Sequence, residues 1–181
     1  MAFKKTPRQK FLPDYDSYLA NNDMALPIGF GQTNSQPYTV QLMLGWLDPE
    51  VGDRILDVGS GSGWTTALLA NLVGSTGRVY AVEAIPQLVG FGRNNCLKLG
   101  LRNVGFYQAG KRLGLPRFAP YDRILVSAAA DDVPQELLNQ LASGGKMVIP
   151  VKNDILEIEK AGDDIEIIAH PGFVFVPLIQ P

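Results

Sequence analysis

Asp57-Val58-Gly59-Ser60-Gly61-Ser62-Gly63 joins an acid to three alternating glycines, and Glu83 follows 20 residues after the last of them. Glycines in such a run let the backbone turn tightly and let a ligand approach without meeting a Cβ. A carboxylate at the distance of Glu83 is placed to accept hydrogen bonds from both hydroxyls of a ribose. Taken singly, the loop could be a tight turn and the acid a solvated strand end; together they favour a nucleoside site. A dinucleotide loop, Gly-x-Gly-x-x-Gly, would need glycine where Trp64 stands, which argues against a nicotinamide cofactor. A pyrophosphate loop also exploits a helix amino terminus for negative charge, whereas Asp57 puts a carboxylate just before this one. That charge suits a cationic amino acid moiety and tilts the reading toward a sulfonium cofactor.

These residues need elements that bring strand ends and helix starts together. From Arg54 onward, short β-branched runs alternate with amphipathic stretches, the pattern of a parallel sheet covered by helices on both faces. Strands are predicted over Arg54 to Val58, Arg78 to Glu83, Val104 to Gln108, Arg123 to Ser127 and Lys146 to Val151, the last introduced by Gly144-Gly145. Helices are predicted over Gly63 to Val73, Pro86 to Leu99 and Pro134 to Leu141. After Val151, the segments Ile155 to Lys160, Ile165 to Ala169 and Phe173 to Ile179 are too closely spaced for helical crossovers and are expected to pair antiparallel. Ahead of the core come a polar, irregular lead to Ala25, a glycine- and proline-punctuated loop from Leu26 to Pro37, and a helix from about Tyr38 to Leu47. The expected fold is therefore α/β: a doubly wound, Rossmann-like, mostly parallel sheet ending in an antiparallel hairpin.

The 181 residues are 46% hydrophobic and 19% charged, enough for one buried core, so one domain is expected over 1–181. A formal net charge of -2 supplies no basic field for nucleic acid. No segment approaches the ~20 apolar residues of a membrane span. The single cysteine, Cys96, cannot form an internal disulfide, and residues 1–10 lack the apolar run of a signal peptide. These features read as a cytoplasmic protein without nucleic acid or membrane partners, and a monomer is expected.

Leu26-Pro27-Ile28-Gly29-Phe30-Gly31-Gln32-Thr33-Asn34-Ser35-Gln36-Pro37 closely resembles the signature loop of the protein-L-isoaspartate O-methyltransferases, a class I S-adenosylmethionine-dependent family. The resemblance continues through the glycine loop, Val79-Tyr80-Ala81-Val82-Glu83, Ala119-Pro120-Tyr121-Asp122, Ala128-Ala129-Ala130, Gly144 to Pro150 and Phe175-Val176-Pro177-Leu178-Ile179. It implies a seven-stranded sheet, S-adenosyl-L-methionine as methyl donor with S-adenosyl-L-homocysteine as product, and methyl esterification of L-isoaspartyl and D-aspartyl carboxyl groups in damaged peptides and proteins, which begins their repair. Within the single domain it divides the chain into a lead and signature loop (1–37), a cofactor-binding core (38–151) and C-terminal antiparallel strands (152–181). By residue-level matching, Ser35 falls on the family's active-site serine. Thr33, Gln36, Asp57, Gly59, Ser60, Gly61, Glu83 and Ala84 fall on cofactor-binding positions, and no metal is implied.

A carboxylate acceptor has a reference pKa near ~4 and is already a nucleophile at neutral pH, so this chemistry needs no general base. It needs in-line placement, which can contribute roughly 7–11 kcal/mol. Ser35 suits that task as a hydrogen-bond donor to the acceptor; its competing reading is a cap on the helix beginning near Pro37.

Three departures from the family's pattern stand out. Ala109-Gly110-Lys111 replaces the usual Gly-Asp-Gly, removing an acid expected near adenine. The chain corresponds to a short form with truncated ends. Asn34 stands where an apolar residue is common, which predicts a more polar acceptor pocket. They motivate two alternatives: methyl transfer to another carboxylate or small molecule, and a cofactor-binding homologue without catalysis. His170, beside Pro171-Gly172, reads as a solvent-exposed turn residue; Cys96, Trp46 and Trp64 read as packing residues, and Lys111 with Arg112 as a solvated pair.

Overall fold

The computed structural model describes residues 2–162 and 164–179. A short helix α1 (Ala2–Lys5) and two 3-10 turns lead into a small hairpin, β1 (Leu26–Gly29) and β2 (Gln32–Asn34), followed by α2 (Pro37–Leu47). The core then runs β3 (Arg54–Val58), α3 (Trp64–Val73), β4 (Arg78–Glu83), α4 (Pro86–Lys98), β5 (Val104–Gln108), β6 (Tyr121–Val126), α5 (Gln135–Leu138), β7 (Leu141–Val151), β8 (Asp154–Ala161) and β9 (Asp164–Pro171). The last seven strands form one sheet in the order β5-β4-β3-β6-β7-β8-β9. β5 through β7 are parallel, whereas β8 and β9 return antiparallel. The expected seven-stranded, mostly parallel α/β sheet is present.

Side-chain alternation divides the sheet's two faces. Ile55, Val79, Leu125 and Val148 meet α2 and α3 in one buried cluster, while Leu56, Tyr80, Ile124 and Met147 meet the loop after β5 and α5 in another. Buried Arg123 crosses from β6 to the end of α2, donating from Nε to the carbonyls of Leu47 and Asp48 at 3.0 and 3.1 Å. A cation there satisfies carbonyls that a helix leaves without partners and complements its dipole. At the other end of α2, Pro37 opens the helix and the Tyr38 N–H donates to Asp23 Oδ1 at 2.9 Å. Neighbouring strands connect to opposite sides where the order passes from β3 to β6, leaving a crevice beyond their carboxyl ends.

Several boundaries differ from the sequence expectation. The Leu26–Pro37 stretch is not a plain loop: Leu26 and Ile28 turn into a buried cluster with Leu12 and Leu88, and Gly29, Phe30 and Gly31 make the hairpin tip with consecutive positive φ values. The helix expected over Pro134 to Leu141 is confined to Gln135–Leu138, because Leu141 already pairs with Tyr121. Gly144-Gly145 therefore lies within β7, where the pairing shifts register, rather than ahead of it. Phe173 to Ile179 makes no strand; Ala129 pairs with Pro177 in an isolated parallel bridge. His170 lies in β9, stacked on Trp46 at 3.8 Å and 3.4 Å from Glu157 Oε2, not exposed in a turn.

Two glycines with opposite surroundings test the packing. A Cβ on Gly63 (φ 81°) would lie 2.9 Å from the Gly92 carbonyl oxygen, whereas one on Gly45, on the exposed face of α2, meets nothing within 4 Å. Gly63→Ala is expected to lower stability by about 1–3 kcal/mol and Gly45→Ala to raise it by about 0.5–1 kcal/mol, measured by denaturant titration.

Candidate active site

The crevice holds a cavity whose floor is the glycine loop between β3 and α3. Gly59, Gly61 and Gly63 adopt φ values of 76°, 49° and 81°, a region that other residues enter only at a cost. Glu83, at the end of β4, lines the same cavity and is buried. Its Oε2 accepts from the Gly61 N–H at 2.9 Å and its Oε1 from the Ile85 N–H at 3.0 Å. Both oxygens are thus oriented while lone pairs remain for a ligand. Ser60 also lines the cavity, and its buried hydroxyl has no partner among the described residues. Ala84, Thr33 and Ser35 face the same space. Among the described residues Glu83 is the only charged side chain on the wall, so the cavity favours a cation and disfavours a pyrophosphate.

Asp57 takes a different position from its neighbours on the loop. Strand alternation points it at α3, where Thr66 Oγ1 and Thr65 Oγ1 donate to its Oδ2 at 2.6 and 3.2 Å, and it forms no part of the cavity wall. Its Oδ1 is buried without a partner among the described residues. Burial pushes the carboxyl up to about 6; hydrogen bonds from Thr66 and Thr65 oppose that rise and the Glu83 charge adds to it.

The signature hairpin forms the wall facing the glycine loop. Ser35 is half-buried on the cavity, and the first turn of α2 is capped by Asp23 through the Tyr38 N–H, so the competing capping reading of Ser35 has no hydrogen bond behind it. Gln36 lies off the cavity, with Nε2 donating to Asp23 at 3.1 Å and Oε1 accepting from Thr39 at 3.2 Å. Asn34 does not add free polarity to the pocket: its Oδ1 accepts from Arg8 Nε at 2.7 Å and its Nδ2 donates to Ser62 Oγ at 2.9 Å.

Two groups of site residues escaped the sequence reading. Val176, Pro177, Leu178 and Ile179 close an apolar side of the cavity, tied to Ala129 by two backbone hydrogen bonds of 2.8 Å. Pro177 has no N–H for a ladder and was the available signal against a strand there. Arg8 is buried beneath the hairpin, and burial pulls its guanidinium down to about 10 against the opposing attraction of Asp23, leaving it charged at neutral pH. A lone arginine in a polar lead carries no pattern that announces burial. Where the lost aspartate would stand, Gly110 is exposed, and the wall beside it is Ala109, Leu113 and Gly114. Cys96 packs in the core against the Gly63 carbonyl, its thiol pushed up to about 12 chiefly by burial.

The family model described as protein-L-isoaspartate(D-aspartate) O-methyltransferase matches residues 1–181. A protein-L-isoaspartate O-methyltransferase of Methanopyrus kandleri is 47% identical over 184 residues, covering 98% of this chain and 81% of its own length. That of Methanothrix thermoacetophila is 44% identical over 181 residues, covering 98% and 86%. A solved protein-L-isoaspartate O-methyltransferase superposes with a TM-score of 0.86 at 28% identity, covering 97% of this chain; this chain spans 59% of that one. A Plasmodium falciparum beta-aspartate methyltransferase, solved in complex with S-adenosyl-L-homocysteine, also gives 0.86, at 25% identity and covering 99% and 89%.

The buried acid gives the fold a pH signature. Because Asp57 holds its proton more tightly in the folded chain than at its ordinary value of 3.8, its contribution to stability declines as pH rises from about 4 to about 6 and is then constant. Asp57→Asn is expected to remove that decline, so wild type loses stability relative to the variant across this window. Urea midpoints at several pH values measure the difference.

Proposed function

This chain belongs to the protein-L-isoaspartate(D-aspartate) O-methyltransferase family, and we propose that it methylates L-isoaspartyl and D-aspartyl carboxyl groups of damaged proteins from S-adenosyl-L-methionine. The observation that carries this reading is that Ser35 and Glu83 line one cavity from opposite loops, bringing an acceptor-orienting hydroxyl and a ribose-binding acid to a common space.

The residues fit the cofactor. Glu83, pinned by two backbone donors, is placed to accept from ribose hydroxyls, and Ser60 has an uncommitted buried hydroxyl. The amino end of α3 offers backbone N–H groups to the amino acid carboxylate. Ala109 and Leu113 supply an apolar surface for the base, and the single negative wall charge suits a sulfonium. Asp57 acts from beneath the loop by its charge and its unpaired Oδ1. When bound, S-adenosylmethionine supplies an electrophilic methyl group: a C–O bond to the acceptor forms as the C–S bond breaks and its electron pair stays on sulfur.

The chain supplies orientation and exclusion of water. The Ser35 hydroxyl donates to the acceptor carboxylate and aims its free oxygen, with no proton to remove. The apolar segment Val176 to Ile179 limits competing solvation of that carboxylate. The alternative of another carboxylate or small-molecule acceptor loses the support it drew from Asn34, since both polar ends of that side chain are engaged within the protein.

Titration of S-adenosyl-L-methionine and S-adenosyl-L-homocysteine, followed by methyl transfer to an isoaspartyl peptide and its aspartyl control, tests the reading. Binding with isoaspartyl-selective transfer is expected; binding without such transfer would overturn it. Ser35→Ala is expected to lower kcat by about 10–100-fold, the loss of one hydrogen bond to a charged group, with cofactor affinity changing less than about threefold. Glu83→Gln is expected to raise the Kd for S-adenosyl-L-homocysteine about tenfold or more, read by calorimetry.

A further inference from the structure

Arg8 lies 26 residues ahead of Asn34, yet the residue is only 6% exposed, and its guanidinium is spent on the hairpin and the chain leading into it. Nη2 donates to the carbonyls of Ser35, Asn34 and Met24 at 2.9, 3.0 and 2.7 Å, and Nη1 to that of Asn22 at 3.0 Å. Nε donates to Asn34 Oδ1 at 2.7 Å. Arginine only donates, so the Asn34 oxygen must face it and the Asn34 amino group must face away. That group donates to the hydroxyl of Ser62, inside the glycine loop, at 2.9 Å. The Ser62 carbonyl is held in turn by Asn95 Nδ2 of α4 at 3.0 Å. Arg8 also lies over the Trp64 ring at 5.4 Å, and Trp64 Nε1 donates to the Thr6 carbonyl at 3.1 Å. Asn34 therefore ties the loop carrying Ser35 to the glycine loop by a side-chain hydrogen bond, beside the close approach of the Ile28 side chain to Gly61. Its direction is set by the chemistry of its two partners.

We propose that Arg8 and Asn34 are positioning residues that fix the Ser35 hydroxyl in register with the glycine loop, so that acceptor and methyl donor are held in line. The inference rests on the proposed methyl-transfer reading. Lysine in place of Arg8 keeps the charge but cannot hold a side-chain oxygen and several carbonyls in one plane. Alanine in place of Asn34 leaves both Arg8 Nε and the Ser62 hydroxyl without this partner. A displacement of about 1 Å at a reacting group is enough to cost rate on the order of 100-fold.

The test counts active sites by S-adenosyl-L-homocysteine titration and expresses kcat per site for an isoaspartyl peptide. Asn34→Ala, Ser62→Ala and Arg8→Lys are each expected to lower kcat per site about tenfold, with cofactor Kd moving less than about threefold. The Asn34→Ala, Ser62→Ala double variant is expected to be no slower than the slower single, the non-additivity of one shared link. A role in folding alone would lower the melting temperature and the number of sites but leave kcat per site intact. The proposal is overturned if kcat per site stays within about twofold of wild type, or if the two single effects multiply. Should Arg8→Lys not fold, the Asn34 and Ser62 cycle decides.

Hydrogen exchange separates this inference from the functional reading. S-adenosyl-L-homocysteine is expected to slow exchange over residues 32–36 as well as 59–63 in wild type, and in Asn34→Ala to slow it over 59–63 alone. If wild type binds this ligand yet methylates no isoaspartyl peptide, the functional reading fails and exchange alone judges the link. Slowing over 32–36 that survives in Asn34→Ala, or is absent from wild type, overturns it.

Discussion

Gly63 and Gly92 touch backbone to backbone, and the site depends on that approach. A Cβ on Gly92 would lie 2.8 Å from the Phe106 ring and 3.0 Å from the Gly61 carbonyl, and one on Gly63 would meet the Gly92 carbonyl at 2.9 Å. With neither present, α3 and α4 close beneath the loop, and Asn95 and Cys96 of α4 hold the carbonyls of Ser62 and Gly63. The loop is thereby fixed from below by helix packing, leaving its upper face open to a ligand. Packing of this kind is stiff, so a loop built on it keeps its backbone donors aimed without a ligand to order them.

The electrostatics follow from where strand periodicity sends two acids. Asp57 is carried under α3 into a shell of threonine hydroxyls, while Glu83, at the end of the neighbouring strand, reaches the cavity wall. The two carboxylates lie at different depths about one cavity: Glu83 lines its wall, and Asp57 is buried beneath the loop. Arg8, the nearby buried cation, is turned away and occupied by carbonyls. A positive ligand therefore meets an unopposed negative wall, consistent with a sulfonium cofactor and inconsistent with a phosphate-rich one.

Much of this was legible before any coordinates. The glycine loop, Glu83, the parallel strands and the final antiparallel pair all announce themselves through local signals: turn residues, apolar period and spacing. The boundaries that failed did so where non-local pairing outweighs local propensity. Leu141 belongs to β7 because Tyr121 is its partner, and His170 is sheltered because Trp46 stacks on it. Leu26 to Asn34 pair as a hairpin because Leu12 and Leu88 bury its inner side. None of those partners is within reach of a sequence window.

The sequence by itself determined the fold class, the glycine loop between strand and helix and, through close resemblance, the family. Those properties are written in backbone permissiveness and short-range periodicity, which act over a few residues. Only the tertiary structure decided that Asp57 lies beneath the loop rather than on the wall, that Gln36 faces Asp23, and that the chain from Val176 to Ile179 closes the cavity. It alone joined Arg8 to Asn34 and Asn34 to Ser62. Hydrogen bonds between side chains 26 and 28 residues apart depend on where folding brings two segments, and no residue type or spacing encodes that meeting in advance.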